Sequence, residues 1–141
     1  MELFAGTGAV ALEAISRGAA SAVLVERDPG VLVQLRENCG DLAGSKTDVL
    51  ALDLPAGLAP ERSSIKGLFD LIFADPPYEF AAYPELMKRA VALLDDNGEL
   101  VIEHGWRDEL PTEVDPLMQT DRRRYGDTCL SFYQLVTDLQ D

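Results

Sequence analysis

A short corner rich in hydrogen-bond acceptors follows an apolar run near the middle of the chain. The residues Leu71-Ile72-Phe73-Ala74 lead directly into Asp75, Pro76, Pro77 and Tyr78. Two consecutive prolines form a stiff segment that has no backbone N–H to donate. An exocyclic amine of a nucleobase is a poor nucleophile until its nitrogen becomes pyramidal. We therefore expect the Asp75 carboxylate and the Pro76 carbonyl to accept the two hydrogens of such an amine, while Tyr78 stacks on the planar base.

A glycine-containing turn near the start of the chain is typical of a nucleotide site. The stretch "FAGTGAVALE" follows a short apolar strand and opens a helix. Gly6 and Gly8 permit a tight turn and let a ligand approach the backbone amides closely. Glu26 stands at the end of the next predicted strand, where an acid would accept both hydroxyls of a ribose. An ordinary solvated acid is the alternative interpretation of Glu26.

The same residues suit two classes of nucleotide cofactor. A dinucleotide enzyme would bind pyrophosphate at the turn. A methyltransferase would bind S-adenosylmethionine there, with Asp53 accepting from the adenine amino group, although an acid that only caps a local turn is an equal alternative for Asp53. The corner at Asp75 favours the methyltransferase, because a dehydrogenase has no use for a clamp made only of acceptors.

Strands and helices alternate along the sequence, which predicts a parallel sheet covered by helices on both faces. The predicted strands cover residues 2–4, 22–25, 49–52, 69–74 and 99–103, and the predicted helices cover 10–17, 29–39 and 84–94. A final antiparallel hairpin is predicted over 117–135 around Tyr125-Gly126-Asp127. Four acids then lie at strand ends, where ligands bind in such sheets: Glu26, Asp53, Asp75 and Glu103.

Local signals refine the ends of these elements. Asp28-Pro29 predicts an N-cap followed by proline in the first helical turn. Asn97-Gly98 predicts a tight turn before the fifth strand. Residues 55–67 are predicted to be a loop that includes a short helix.

Composition limits the classes of protein that fit. The chain has 141 residues, of which 47% are apolar, as expected for one domain with its own core. It has no apolar run of the ~20 residues that a membrane span requires, and its start lacks the features of a secretory signal. Two cysteines and a single histidine offer no metal-ligand spacing. We therefore expect a reduced, cytoplasmic protein without a metal.

The charge balance counts against non-specific binding to nucleic acid. Twelve basic residues face 25 acidic ones, which leaves a formal net charge of −13. Nucleic-acid binders usually carry a basic surface. The one dense basic run is Arg122-Arg123-Arg124, which we expect to form a solvated face.

The chain resembles the RsmD-like methyltransferases, which methylate guanine N2 in the 16S ribosomal RNA of the small subunit. The resemblance rests on "ELFAGTGAVALEAISRGA", "VLVERD", "FADPPY" and "RRYGDTCLSFY", in the family's order over essentially the whole chain. It implies a class I Rossmann-like α/β fold with a mostly parallel seven-stranded sheet and a C-terminal antiparallel hairpin. It also implies catalysis by Asp75, Pro76, Pro77 and Tyr78, and contacts to S-adenosylmethionine from Glu2, Phe4, Ala5, Gly6, Thr7, Gly8, Glu26, Arg27, Asp53 and Leu54.

Two features depart from the family pattern. Glu2 stands where the motif usually has Asp, and the family's basic N-terminal hairpin and helix have no counterpart among residues 1–141. We therefore expect a single methyltransferase domain that lacks this extension. The resemblance implies 16S ribosomal RNA or an assembling small ribosomal subunit as substrate. We also expect a monomer, with neither membrane nor metal involved.

Other functions are compatible with the same motifs. The corner would serve equally for adenine N6 in DNA or RNA, or for a protein side-chain amide. The acidity of the chain is also compatible with a catalytically silent subunit that binds the cofactor and relies on a partner. A nicotinamide-dependent dehydrogenase is a more distant alternative.

Overall fold

The computed structural model describes residues 1–42, 44–59, 65 and 68–136. Its helices are α1 (Ala9–Ser16), α2 (Pro29–Leu42) and α3 (Tyr83–Val91), with short 3-10 turns at Gly44–Lys46 and Ala56–Leu58. Its strands are β1 (Glu2–Leu3), β2 (Ala22–Glu26), β3 (Thr47–Ala51), β4 (Phe69–Ala74), β5 (Leu94–Gly105), β6 (Glu113–Val114), β7 (Leu117–Tyr125) and β8 (Thr128–Leu135).

The strands in the described part of the chain form one sheet with the order β3-β2-β1-β4-β5-β8-β7-β6. The five strands from β3 to β5 pair in parallel, and β8, β7 and β6 add to them in antiparallel orientation. This confirms the predicted Rossmann-like sheet with its C-terminal antiparallel hairpin. The sheet has eight strands where seven were expected, because the two residues of β6 pair along the edge of β7 and are too few to leave an alternating pattern.

Helices cover both faces of the sheet, as the alternation of elements predicted. Successive residues of β2 point to opposite faces, so Leu24 packs with Leu35 of α2 while Val25 belongs to the cluster beneath α3. That second cluster is the larger one and includes Leu86 of α3 and Ile102 of β5, both fully buried. It extends under the hairpin and so fixes β5 and β8 relative to the ends of the parallel strands.

Some element boundaries follow the prediction and others differ. The Asp28 Oδ1 atom accepts hydrogen bonds from the amides of Gly30 and Val31, at 2.9 and 3.1 Å, which confirms the N-cap of α2. Helix α3 ends at Val91 and not at residue 94, because Leu94 already pairs with Phe69 of β4. The 3-10 turn at 56–58 lies in the predicted loop 55–67, of which residues 60–64 and 66–67 lie outside the described residues.

The turn predicted at Asn97-Gly98 lies inside β5, which is a correction. The pairing of β4 with β5 is irregular between Phe69 and Leu71, so residues 95–98 bulge while the strand continues on both sides. A Cβ atom on Gly98 would lie 2.7 Å from the Phe69 carbonyl oxygen. Glycine therefore serves a close approach of two backbones here, and its turn-like signal misled the prediction.

The described residues can be compared with what the composition predicted about cysteines, membrane spans and metal sites. Cys39 and Cys129 are buried free thiols that pack in the interior. Within the described ranges, no helix is both long and apolar enough to cross a membrane, and no cluster of three metal-ligating side chains occurs.

Candidate active site and its neighbouring cavities

The turn between β1 and α1 holds three residues in the left-handed region. Phe4, Gly6 and Gly8 have φ angles of 58°, 56° and 79°. A Cβ atom on Gly8 would lie 2.7 Å from Leu35 Cδ1 and 3.0 Å from Leu24 Cδ2, so the ends of these two buried side chains would have to shift to admit it. A left-handed phenylalanine is strained, and such strain is held where the surrounding structure requires it.

Glu26, at the end of β2, is held in place by backbone amides. Its Oε1 atom accepts from the Gly6 amide at 3.0 Å, and its Oε2 atom accepts from the amides of Arg27 and Asp28 at 2.9 and 3.0 Å. A carboxylate offers about four lone-pair sites, so about one remains open to a ligand. Bonds to both hydroxyls of a ribose, as expected from the sequence, would require one of these amides to move.

An ion pair lies beside Glu26. The Arg27 Nη1 atom is 3.0 Å from Asp53 Oδ1, and both side chains are largely exposed. Leu54 follows directly, and the 3-10 turn at 56–58 closes this loop through a bond from the Gly57 amide to the Asp53 carbonyl oxygen at 2.6 Å. The two predicted cofactor residues Arg27 and Asp53 are thus brought together.

These residues surround a cavity of about 350 Å³, which we call the Glu26 cavity. Five of the predicted cofactor residues line it: Phe4, Glu26, Arg27, Asp53 and Leu54. The other five are absent from its lining: Glu2, which belongs to β1, and Ala5, Gly6, Thr7 and Gly8 of the turn that follows. Asp75 and Pro77 of the corner complete the wall, together with Val25, Leu52 and Phe80.

Glu2 contacts the first helix and not this cavity. Its side chain is buried, and its Oε1 atom accepts from the Ala11 amide at 3.0 Å, in the first turn of α1. The N-cap residue Gly8 has no side chain to fill that role. Desolvation raises the pKa of Glu2, and the helix amides act in the opposite direction. The geometry therefore favours a role in positioning the turn, and a direct contact between Glu2 and a cofactor stays a prediction.

The acceptor-rich corner begins where β4 ends. The Asp75 amide donates to the Leu3 carbonyl oxygen at 3.4 Å, and the Phe80 amide donates to the Pro77 carbonyl oxygen at 3.0 Å. This second bond closes a turn with Tyr78 at its tip, where its side chain is 96% exposed. Tyr78 is therefore not packed on the core, and its ring is free to meet a planar ligand. No described residue donates to the Pro76 carbonyl oxygen.

The corner lines a second cavity of about 160 Å³, which we call the corner pocket. Of the described residues that line it, four contribute carboxylates, Asp75, Glu103, Asp108 and Asp127, and none is a lysine or arginine. Partial desolvation, then the hydrogen bond and charge of Glu103, raise the pKa of Asp75 to about 7. Burial and the nearby acids raise the pKa of Tyr83 to about 12, so this phenol is neutral at physiological pH.

His104 joins β5 to the hairpin and has both ring nitrogens occupied. Its Nδ1 atom is 2.8 Å from the Gly105 carbonyl oxygen, and its Nε2 atom is 2.7 Å from Ser131 Oγ. Since a carbonyl only accepts, Nδ1 carries the proton and Nε2 accepts from the serine hydroxyl. Burial lowers the pKa of His104 and keeps the ring neutral.

The four acids gather as predicted: Glu26, Asp53 and Asp75 line the Glu26 cavity, and Glu103 joins Asp75 in the corner pocket. Glu103 does not end its strand, however, because pairing with β8 extends β5 to Gly105. No role for Phe80 was predicted from the sequence. Its ring centroid is 5.2 Å from that of Phe4 and 5.1 Å from that of Tyr83, both edge to face, so it stands between the two cavities. Its position two residues after Tyr78 was the available signal.

Comparison with known proteins agrees with this arrangement. A family model described as "Conserved hypothetical protein 95" matches residues 1–134. The chain is 31% identical over 137 residues to "Putative rRNA methyltransferase YlbH" of Bacillus subtilis, covering 95% of this chain and 74% of that protein. It is 35% identical over 103 residues to "Ribosomal RNA small subunit methyltransferase D" of Escherichia coli, covering 73% of this chain and 48% of that protein. The aligned part thus spans about half the length of the second relative.

A solved structure shares the fold. The chain superimposes on "Putative methyltransferase yhhF from Escherichia coli" with a TM-score of 0.81 and 28% sequence identity, covering 97% of this chain and 77% of that one. The mostly parallel sheet with its terminal hairpin is therefore the class I methyltransferase architecture.

Proposed function

The chain belongs to the RsmD-like methyltransferase family, and on that basis we propose that it transfers a methyl group from S-adenosylmethionine to an exocyclic amine of ribosomal RNA. More specifically, we propose that the methyl acceptor is guanine N2 of 16S ribosomal RNA. A reduced cytoplasmic location fits the two free thiols.

One observation carries the proposal: Asp75 and Pro77 line both the Glu26 cavity and the corner pocket. The corner is therefore a wall shared by the two cavities. A methyl donor in the first and a nucleobase in the second would meet at Asp75. That juxtaposition is what direct transfer between two bound molecules requires.

The Glu26 cavity suits a cationic cofactor better than a dinucleotide. Three acids line it, Glu26, Asp53 and Asp75, and the one cation among its described lining residues is Arg27, which is already paired with Asp53. Such a wall attracts a sulfonium and repels a pyrophosphate. The apolar side chains of Phe4, Leu52 and Leu54 complete a wall of the kind that binds an adenine ring. When bound, S-adenosylmethionine supplies an electrophilic methyl group.

The corner prepares the acceptor amine. The Asp75 carboxylate and the open Pro76 carbonyl accept its two hydrogens, which directs its lone pair toward the incoming methyl group. Pro76 and Pro77 keep the two acceptors fixed. The exposed ring of Tyr78 stacks on the base, a contact worth roughly 1–3 kcal/mol. The pKa of Asp75 near 7 also allows its carboxyl to hold the proton that the methylated amine releases.

The test is transfer of a labelled methyl group by the whole 141-residue chain to deproteinised 16S ribosomal RNA and to small ribosomal subunits. Asp75→Ala removes a charged acceptor at the reacting atom, so we expect kcat to fall by about 10²–10³ while calorimetric binding of S-adenosylmethionine is largely retained. Tyr78→Phe keeps the ring and is the control expected to stay active. Full activity of Asp75→Ala would overturn the mechanism.

The product decides between the alternatives. Recovery of N2-methylguanosine supports the proposal, whereas N6-methyladenosine or a methylated protein amide would assign a different substrate to the same corner. Binding of S-adenosylmethionine without transfer to either RNA form would instead favour a silent subunit that depends on a partner. Binding of NADH in place of S-adenosylmethionine would favour the dehydrogenase.

A further inference from the structure

A third cavity, of about 800 Å³, lies beside the corner pocket, and we call it the hairpin cavity. Its walls come from the end of β5, the loop that follows, and the strands β7 and β8. His104 and Asp108 line both cavities, so the two adjoin. The proposed function assigns no role to the hairpin cavity.

Alternate arginines of β7 face this cavity. Arg122 and Arg124 pair with Ser131 and Cys129 of β8, and all four residues line the cavity. Side chains paired across two strands point to the same face. Arg123 lies between the two arginines and therefore points to the other face.

Arg123 is neutralised on that opposite face. Its Nε atom is 2.9 Å from Asp121 Oδ2, and its guanidinium lies 5.3 Å from the centroid of the Phe132 ring. The run of three arginines is therefore two separate groups. One residue is paired with an acid, and two are directed toward the cavity.

The cavity-facing arginines converge on Trp106. The guanidinium carbons of Arg107 and Arg124 lie 4.9 and 4.0 Å from the centroid of its indole ring, and Arg122 Nη2 donates to its carbonyl oxygen at 3.0 Å. Within the described residues, none of these three arginines forms an ion pair with a carboxylate. Two acids share the wall, and neither is within ion-pair distance of these arginines: Asp108 accepts from the Gly105 amide at 3.1 Å, and Glu109 is exposed.

Unpaired cations gathered on one aromatic ring are notable in a chain with a net charge of −13. Like charges that share a ring repel one another, and an anion placed among them relieves that repulsion. Guanidinium groups match the oxygens of a phosphate in geometry and charge. The adjoining corner pocket carries four carboxylates, so a nucleotide whose base enters it must direct its phosphates elsewhere.

We propose that the hairpin cavity binds a backbone phosphate of the RNA strand beside the target nucleotide, through Arg107, Arg122 and Arg124. This inference rests on the proposed function and names where the substrate strand runs. The acidic pocket receives the uncharged base, and the basic cavity receives the charged backbone. The division explains how a strongly acidic chain can select a polyanion at one place while repelling it over the rest of its surface.

The test measures binding and not catalysis, with a fluorescein-labelled oligouridine that contains one guanosine. Arg124→Gln and Arg123→Gln remove the same charge from adjacent residues on opposite faces of β7. We expect Arg124→Gln to weaken binding about tenfold and to reduce the slope of log affinity against log salt by about 0.7, the value for one lost phosphate contact in a single strand. Arg123→Gln should leave both close to wild type.

A second substitution and a competitor keep the test decisive. Arg107→Gln removes a cavity cation that makes no hydrogen bond within the described residues. It is the substitute variant if Arg124→Gln does not fold, and we expect the same tenfold loss of RNA affinity. Equal losses from Arg123→Gln and the cavity variants would overturn the proposal, as would competition by polyglutamate as strong as that by unlabelled RNA. Methyl transfer by the wild type is measured separately, so RNA binding at the cavity without transfer would overturn the proposed function alone.

Discussion

The protonation of Asp75 depends on a residue that lies far away in the sequence. Ala74 of β4 pairs with Ile102 of β5, which brings the next residues side by side: Asp75 directly after β4 and Glu103 within β5, two residues before its end. Desolvation and then Glu103 raise the pKa of Asp75 to about 7. Below that pH the protonated carboxyl donates a hydrogen where the proposed reaction needs an acceptor.

Glu103→Gln is therefore expected to shift the pH dependence of the reaction. The substitution removes the like charge, so the pKa of Asp75 falls, and the acid limb of the kcat/KM profile should move down by on the order of one pH unit. The measurement is kcat/KM for methyl transfer at a series of pH values across neutrality. Glu109→Gln, which makes the same charge change outside the corner pocket, is the control. A limb that stays in place would contradict the coupling.

Among the features of single residues, the sequence predicted those that follow from residue type and from order along the chain. Asp75, Pro76 and Tyr78 could be assigned roles because an acid, a donor-free linker and an aromatic ring occur in succession. The environment of Asp75 could not be predicted, because it depends on the register between β4 and β5. Phe80 was missed because a single phenylalanine after the motif is equally typical of core packing.

At the scale of elements, the turn before α1 combines two demands on glycine. Gly8→Ala would place a Cβ atom 2.7 Å from Leu35 Cδ1 in a residue with φ of 79°. We expect the free energy of unfolding to fall by about 2–4 kcal/mol, from the left-handed backbone and the overpacking together. Urea denaturation measures this change.

Gly126→Ala is the matched control for that prediction. Gly126 has φ of 62° in the β7–β8 turn, and no atom lies within 4 Å of the place that an alanine Cβ atom would take there. Only the backbone contribution of about 1–2 kcal/mol therefore applies to this variant. Equal losses for the two variants would show that packing against α2 and β2 adds nothing at Gly8.

The join between β5 and β8 depends on a buried hydrogen-bond chain. Ser131 Oγ donates to His104 Nε2 at 2.7 Å and accepts from Gln119 Nε2 at 3.2 Å. Ser131→Ala leaves the buried imidazole nitrogen without its donor, so we expect a loss of about 1–3 kcal/mol in the free energy of unfolding. Ser16→Ala, which removes an exposed hydroxyl bonded to the Glu13 carbonyl, should change it by less than about 0.5 kcal/mol. Similar losses for both would contradict the importance of the chain.

Elements with strong local signals were predictable, and irregular ones were not. Strand β4 has the predicted bounds, and α2 begins at the Asp28-Pro29 signal, because burial and capping are encoded locally. The two-residue β6 and the bulge at 95–98 depend on contacts with neighbouring strands. No pattern of apolar residues marks them.

At the scale of the whole molecule, the net charge of −13 acts on every ligand that approaches. S-adenosylmethionine carries a sulfonium charge that its product, S-adenosylhomocysteine, lacks. We therefore expect the cofactor to bind more tightly than the product at low salt. The ratio of the two dissociation constants should approach one as the Debye length falls from about 30 Å at 0.01 M salt to about 3 Å at 1 M.

Calorimetric titration of both ligands over that salt range measures the two dissociation constants and hence their ratio. The product serves as the internal control, since it presents the same adenosine to the Glu26 cavity. A ratio that does not change with salt would mean that the acidic walls do not contribute to selection of the cation.

The fold and the family could be predicted because their motifs are continuous stretches in a fixed order. The arrangement of the three cavities along one edge of the sheet could not, because each is built from loops that follow different strands. Arg123 and Arg124 illustrate this, because they are adjacent in the sequence but their side chains lie on opposite faces of β7. All three arginines are exposed, as expected for a solvated face, and Arg122 and Arg124 also line the hairpin cavity.

The shared wall at Asp75 favours an order of events in the proposed reaction. In the free chain this carboxyl is about half protonated at neutral pH, since its pKa is about 7. A cation entering the Glu26 cavity stabilises the carboxylate, so a proton leaves as the cofactor arrives. A nucleobase that binds before the cofactor meets an Asp75 carboxyl that is partly protonated and so accepts hydrogen bonds poorly. A nucleobase that binds after the cofactor meets the carboxylate, which accepts fully. One side chain thus makes cofactor-first binding the productive sequence and ties it to the release of a proton into solution.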